Sequence, residues 1–92
     1  MDERKHIHLV DDDEAIRHSA SFMLRSAGFT VKTYVDGVDF LDAVNSATRG
    51  CILLDIGMPV LVGIDVLIAL VERGFVMTTV VLTGHGDVAV AV

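Results

Sequence analysis

The sequence contains one cysteine, one proline, no tryptophan and only 7 basic residues against 13 acidic ones. Cys51 has no partner for an internal disulfide, which is typical of proteins of the reducing cytosol, and we therefore expect a cytoplasmic chain. The formal net charge is −6, and the Lys and Arg residues form no cluster. Because binding to a phosphate backbone needs clustered positive charge, we expect no direct nucleic-acid binding.

We also expect no signal peptide and no membrane span. The N-terminal residues lead into no long apolar stretch. Residues 51–71 are strongly apolar, but they include Asp55, Asp65, Pro59 and two glycines. Each central Asp costs about 2.5–3.5 kcal/mol on the membrane-insertion scale. We therefore predict a strand, a loop and a helix here, and no membrane partner.

Short apolar runs alternate with segments of helical spacing, in the order β-α-β-α-β-α-β. The 92 residues suffice for one domain, which we assign to residues 1–92. Alternating strands and helices predict an α/β fold with a parallel sheet. Residues 88–92 remain open, because Val-Ala-Val-Ala-Val fits a strand and the first turn of a helix equally well. We predict strands at 6–10, 30–35, 51–54 and 78–82, and helices at 14–27, near 40–45 and at 64–73.

Apolar spacing predicts which helix faces are buried. Asp13 is the natural N-cap of the first helix, and Gly28 is placed to end it. Its predicted core positions are Ile16, Ala20, Met23, Leu24 and Ala27, with Phe22, Met23 and Leu24 forming one core group. The predicted buried face of the third helix is formed by Ile64, Leu67, Ile68 and Val71.

Carboxylates follow two of the predicted strands. Three consecutive acids, residues 11–13, follow the first strand, and Asp55 follows residues 51–54. A third run ends on Thr83 and Gly84. The carboxyl ends of neighbouring parallel strands form one edge of the sheet, where sites are built. Acids gathered there repel one another unless a hard cation binds, and carboxylate oxygens are ligands that Mg²⁺ prefers.

Three segments carry a family resemblance: LVDDDEAIR (9–17), LLDIGMP (53–59) followed by Gly63, and VVLTGHGDV (80–88). Together they resemble the receiver domain of bacterial two-component response regulators, and TGHGDV is similar to the FixJ and NtrC branches. The resemblance implies a flavodoxin-like (CheY-like) doubly wound parallel sheet with strand order 2-1-3-4-5, incomplete at the C-terminus.

The resemblance also implies the roles of the site residues. Asp55 would accept a phosphoryl group from a histidine of a sensor kinase. Asp12 and Asp55 would bind Mg²⁺ directly, with the backbone carbonyl of Gly57 as a third ligand and Asp11 acting through water. Thr83 would hydrogen-bond the phosphoryl oxygens. An output domain, expected to control transcription, would belong to the parent protein.

The family has a fifth strand ending in a Lys-Pro pair, and no lysine follows Lys32 in this sequence. Since the other motifs are undamaged, we expect a truncated receiver or fragment rather than a degenerate one. Without the fifth strand, residues 78–82 should form an apolar sheet edge. We therefore expect this form of the chain to be a homo-oligomer.

The sequence leaves two alternatives to phosphoacceptance to consider. Phosphatases of the haloacid dehalogenase type need a second acid two positions after the nucleophilic Asp, where this sequence has Gly57, so we expect no enzyme. A pseudo-receiver, which binds partners without phosphorylation, remains the alternative. His6 and His8 are interpreted as ordinary strand histidines, and His85 as an exposed loop residue.

Overall fold

A computed structural model describes residues 5–45, 48–55, 63–75, 77–82 and 88–91. Within these residues the predicted β-α-β-α-β-α-β order is confirmed, and one further strand follows it. The elements are β1 (His6–Val10), α1 (Glu14–Ser26), β2 (Thr30–Tyr34), α2 (Gly37–Ala43), β3 (Cys51–Asp55), α3 (Gly63–Glu72), β4 (Thr79–Leu82) and β5 (Val88–Ala91).

The strands form one sheet in the order β2-β1-β3-β4-β5. β1 pairs in parallel with both β2 and β3, and β3 pairs in parallel with β4. The four parallel strands and their helices confirm the flavodoxin-like α/β fold. Val10 is in register with both Tyr34 and Leu54, so the carboxyl ends of β1, β2 and β3 lie at the same edge of the sheet.

The fifth strand corrects the expectation of an exposed β4 edge. Val88–Ala91 runs antiparallel to β4, with Leu82 opposite Val88 and Thr79 opposite Ala91. The chain reverses after β4, so the alternating Val-Ala segment is a strand and not the first turn of a helix. β4 thus has a hydrogen-bonded neighbour on each side, and β5 is the edge strand of a mixed sheet.

The main core lies on the side of the sheet that α2 and α3 cover. Phe40 from α2 has no exposed surface and packs edge-on against Tyr34, with ring centroids 5.1 Å apart. The cluster of buried side chains takes residues from β1, β3, α2 and α3. Its members are Val10, Phe40, Leu41, Ile52, Leu54, Val66 and Leu70.

Helix α1 has the predicted ends but not the predicted buried face. Asp13 caps its N-terminus, and Gly28 follows its C-terminus with φ of +99°, a conformation that glycine adopts without strain. The core group predicted around Phe22 and Met23 is wrong, because these side chains are 71% and 68% exposed. Ser21 is buried instead.

The face that α1 turns toward the sheet explains why the predicted core group is wrong. The half-buried or buried positions of the helix recur at helical spacing, and they include polar residues. Ile16 lies beside that stripe and is nearly half exposed. The exposed side of α1 therefore carries apolar side chains that do not contribute to the core. The positions on the stripe are Arg17, Ala20, Ser21 and Leu24.

The predicted buried face of α3 is also wrong for the side chains that the structure describes. Val66 and Leu70 are buried, whereas Ile68 and Val71 are 50% and 74% exposed. Leu67 is half-buried, and the side chain of Ile64 lies outside the description. The helix is apolar almost all round, so spacing alone could not select the face that α2 and the sheet cover.

Residues 51–71 do not form a single helix, since β3 occupies their first part and α3 begins at Gly63. Within the described ranges, no helix is long and apolar enough to cross a membrane.

Candidate metal and phosphoacceptor site

The sheet brings three carboxylates together at its carboxyl edge. Asp55 is the last residue of β3, and Asp11 directly follows β1, the parallel neighbour of β3. The backbone N–H of Asp11 still donates to the carbonyl of Tyr34 at 3.2 Å, so the β1–β2 pairing continues to this residue. One oxygen from each of Asp11, Asp12 and Asp55 lies within 4.8 Å of the other two. The predicted convergence of these acids is confirmed.

Asp11 is the buried member of the cluster, with 3% of its surface exposed. Burial raises the pKa of its carboxyl, because desolvation penalises the charged form. The backbone N–H of Asp13, which donates to Asp11 Oδ1 at 3.0 Å, opposes this rise in pKa. The negative charges of Asp55 and Asp12 raise the pKa of Asp11 further. The fold therefore holds a buried carboxyl whose charged form a nearby cation would stabilise further.

The turn from β1 into α1 is fixed by two side chains that follow Asp12 in the sequence. Asp13 Oδ1 accepts hydrogen bonds from the backbone N–H groups of Ala15 and Ile16, at 2.9 and 3.2 Å, as predicted for an N-cap. Arg17 Nη1 donates to the carbonyl of Asp11 at 2.8 Å. These bonds orient the backbone that carries Asp11 and Asp12.

Arg17 was missed by sequence reasoning. The available signal was its position four residues after the N-cap, where a long side chain on the sheet-facing side of the first turn can reach back to the preceding strand end. The contact is made to a backbone carbonyl, so Arg17 positions the acidic residues without neutralising a carboxylate directly.

The donor set fits a hard divalent cation. Mg²⁺ binds oxygen ligands at about 2.0–2.1 Å, so opposite ligands of one ion are about 4.2 Å apart. All three carboxylate oxygens lie within 4.8 Å of one another, which is near enough for the three side chains to serve one ion. Asp12 is exposed and Asp55 half-buried, which leaves the cluster open to solvent on one side. Mg²⁺ usually keeps several waters, and this opening suits them.

Other predicted site residues are not tested by the structure. Gly57, Thr83 and His85 lie outside the described residues. In the ranges that the structure does describe, Asp11, Asp12 and Asp55 are the one group of three or more acidic, histidine or cysteine residues close enough to share a metal.

Among the residues that the structure describes, neither strand histidine belongs to a group that could hold a metal. His8 is buried, and its Nε2 lies 2.7 Å from the carbonyl of Arg49, a separation at which the ring N–H donates. Its Nδ1 lies 3.1 Å from the hydroxyl of Tyr34. Burial lowers the pKa of His8, so the neutral ring is favoured. His8 is a hydrogen-bonded core histidine, as expected from the sequence.

Comparison with known proteins gives the family. The family model for the response regulator receiver domain matches residues 7–92. Over all 92 residues the chain is 44% identical to the transcriptional regulatory protein FixJ of Azorhizobium caulinodans, covering 44% of that protein. The tetrathionate response regulatory protein TtrR of Salmonella typhimurium is 46% identical over 86 residues, which are 94% of this chain and 42% of that protein. The chain thus spans less than half the length of these relatives.

Among solved structures, the crystal structure of FixJ-N superposes with a TM-score of 0.82 at 35% sequence identity, covering 89% of this chain and 66% of that one. The strand order, the acidic cluster at the carboxyl edge and the match over nearly the whole sequence agree with one another. The chain belongs to the response regulator receiver domain family of two-component systems.

Proposed function

We propose that this chain is a phosphoacceptor module, in which Asp55 takes a phosphoryl group from a histidine of a sensor kinase in a Mg²⁺-dependent reaction. The observation that carries the proposal is the convergence of Asp11, Asp12 and Asp55 within 4.8 Å at the carboxyl edge of the sheet. The position of Asp55 supports its role as nucleophile. It ends an interior strand and is half-buried, so its carboxylate is held in place while one side stays accessible.

In the proposed reaction, a carboxylate oxygen of Asp55 attacks phosphorus, an O–P bond forms, and the N–P bond to the kinase histidine breaks. The electron pair of that bond returns to the histidine ring. Asp55 and Asp12 would hold Mg²⁺ directly, together with the backbone carbonyl of Gly57, and Asp11 would act through water. When bound, Mg²⁺ would neutralise the phosphoryl oxygens, which is the main requirement of phosphoryl transfer. Thr83 would donate a hydrogen bond to a phosphoryl oxygen.

The partners follow from the same proposal. The phosphodonor is a sensor histidine kinase, and the phosphorylated receiver controls an output domain, expected to act in transcription. The relatives are transcriptional and response regulatory proteins of about twice this length, which supports an output region in the parent protein. The response regulator TrrA of Thermotoga maritima, solved in complex with Mg²⁺-BeF, is 28% identical with a TM-score of 0.77, covering 88% of this chain and 72% of that one. That complex supports Mg²⁺ as the cofactor.

The test is phosphorylation by acetyl phosphate in the presence of Mg²⁺, read as an increase in intact mass and mapped by peptide analysis. We expect labelling of the full-length parent and none of its Asp55→Asn variant. In the 92-residue form, which has no lysine after Lys32, we expect weak or undetectable labelling. Asp42→Asn is the matched control, since Asp42 is an exposed helical acid outside the cluster and its loss changes the net charge equally. Equal labelling of Asp55→Asn would remove Asp55 as the acceptor.

The same samples separate phosphoacceptance from the pseudo-receiver alternative. A phosphoacceptor should take up Mg²⁺ and beryllofluoride at Asp55, because the fluoride complex mimics an acyl phosphate. A chain that binds neither acetyl phosphate nor beryllofluoride, while still folded, would be a phosphorylation-independent interaction module.

A further inference from the structure

Two arginines of α1 tie this helix to the sheet, one near each end of the helix. Arg17 Nη1 donates to the carbonyl of Asp11 at 2.8 Å, and Arg25 Nη2 donates to the carbonyl of Val31, also at 2.8 Å. Asp11 directly follows β1, and Val31 lies on β2. The two bonds are therefore alike in donor, acceptor and length, but only the bond of Arg17 ends at the acidic cluster.

Asp11 is held through its N–H, its carboxyl and its carbonyl. The N–H donates to the carbonyl of Tyr34 on β2, Oδ1 accepts from the N–H of Asp13, and the carbonyl accepts from Arg17. Because a peptide unit is planar, the bond to the Asp11 carbonyl also fixes the direction of the N–H and the Cα of Asp12. Arg17 thereby orients the residue whose exposed carboxylate would hold Mg²⁺ directly.

The positive charge of Arg17 and its hydrogen bond have opposite effects on a cation at the cluster. A guanidinium stays protonated in proteins, and its charge repels a nearby divalent cation. If charge were the only influence, a neutral side chain at position 17 would let Mg²⁺ bind more tightly. The hydrogen bond acts the other way, because it holds the backbone that carries Asp11 and Asp12 in place. The Mg²⁺ affinity of a variant at position 17 therefore shows which effect is larger.

We propose that Arg17 is a positioning residue of the Mg²⁺ site, and that its bond to the Asp11 carbonyl raises the affinity for Mg²⁺ by more than its charge lowers it. The inference rests on the proposed function, because it takes Asp11, Asp12 and Asp55 as the site of the ion. Groups that orient metal ligands from outside typically contribute about 10- to 100-fold to metal affinity. The repulsion is partly screened by salt, with a Debye length of about 8 Å at physiological ionic strength, whereas salt does not restore a misplaced ligand.

The test is a titration of Mg²⁺ into the whole chain at a constant ionic strength of about 0.15 M, followed by the backbone amide signals of Asp12 and Asp13 in NMR spectra. We expect Arg17→Met, which removes the donor and the charge, to raise the Kd for Mg²⁺ about tenfold. Arg17→Lys keeps the charge and a donor, and it should recover part of the lost affinity. Arg25→Met is the matched control, because it removes the equivalent bond at the other end of α1 and should change the Kd less than about twofold.

Urea denaturation in EDTA separates this role from a merely structural one. Both methionine variants lose one bond between α1 and the sheet, so both should have a lower free energy of unfolding than wild type. Only Arg17→Met should also have a higher Kd for Mg²⁺. Arg17→Gln, which also lacks the charge, is judged by the same criteria if Arg17→Met does not fold.

Three results would overturn the role of Arg17 alone. They are a Kd of Arg17→Met equal to or below that of wild type, an equal rise in Kd for Arg25→Met, and a Kd of Arg17→Lys as high as that of Arg17→Met. Absence of saturable Mg²⁺ binding by wild type would overturn the proposed metal site itself, and the role of Arg17 with it.

Discussion

Removing the charge of Asp12 should stabilise the metal-free fold and reduce its response to Mg²⁺. The oxygens of Asp12, Asp11 and Asp55 lie within 4.8 Å of one another. At that distance two unit charges repel by about 0.9 kcal/mol at the dielectric constant of water, and by about 3.5 kcal/mol at an effective value of 20. Asp12 is exposed, so the lower figure applies to each of its two pairs. Asp12→Asn should therefore raise the free energy of unfolding by about 2 kcal/mol in EDTA at low salt.

Mg²⁺ should change the difference in free energy of unfolding between wild type and Asp12→Asn. A ligand that binds only the folded state stabilises it by mass action, by about 2.7 kcal/mol at one hundred times its Kd. Wild type should gain this amount at that degree of saturation, whereas Asp12→Asn, having lost a ligand and a negative charge, should gain clearly less at the same Mg²⁺ concentration. The advantage of the variant in EDTA should thus shrink or reverse in Mg²⁺.

The assay is urea denaturation followed by circular dichroism, in EDTA and in millimolar Mg²⁺ at constant ionic strength. Asp42→Asn is again the matched control, and we expect its Mg²⁺ response to equal that of wild type. The reasoning is refuted if Asp12→Asn is less stable than wild type in EDTA, or if it gains as much stability from Mg²⁺.

Four further predictions concern the fold. The pKa of His8 lies below its ordinary value of 6.5, so its stabilising contribution is complete above about pH 6.5 and is lost as the pH falls toward the folded-state pKa. In urea titrations from about pH 7.5 to 5, the free energy of unfolding of His8→Gln should therefore fall less steeply than that of wild type. An equal slope would contradict this. Phe40→Ala should lower the free energy of unfolding by about 3–5 kcal/mol in the same assay. Phe22→Ala, at a 71% exposed site, should change it by no more than about 0.5 kcal/mol. Comparable losses would mean that α1 buries Phe22 in solution. Asp13→Ala should cost about 1 kcal/mol, measured by thermal melting against Asp13→Asn, which keeps a capping oxygen and should lose less. Light scattering should show self-association that grows with concentration, since the edge strand Val88–Ala91 carries no charge or proline, and a concentration-independent monomer would show that this edge is protected.

The acidic site was predictable because strand ends can be read from local sequence. A short apolar run ends where charged residues begin, and parallel strands place such ends on one edge. This pattern predicts that Asp11, Asp12 and Asp55 converge if their strands are neighbours. Which strands are neighbours is implied by the resemblance alone. Arg17 was not predicted as a site residue, because its contact with the Asp11 carbonyl depends on how the first turn of α1 faces the end of β1.

The helix faces were harder to predict because apolar residues lie on more than one side. On α1, Phe22 and Met23 are apolar like Leu24, yet the stripe of buried and half-buried positions contains Ser21 in their place. Hydrophobicity favours burial of any of these side chains, and tertiary packing decides which one is buried. The same ambiguity affected α3, where Val66 and Leu70 are buried in place of Ile68 and Val71.

The direction of β5 could not be predicted from its residues, because an alternating Val-Ala segment has the same pattern in a parallel strand, in an antiparallel strand and at the start of a helix. β4 presents an unpaired row of backbone N–H and C=O groups unless some segment covers it. Val88–Ala91 is the segment nearest in sequence that can do so, and an antiparallel return needs only a short connection, whereas a parallel one needs a crossover of a dozen or more residues. The pairing of β4 thus follows from the demand for backbone hydrogen bonds, and not from a side-chain preference that sequence inspection could detect.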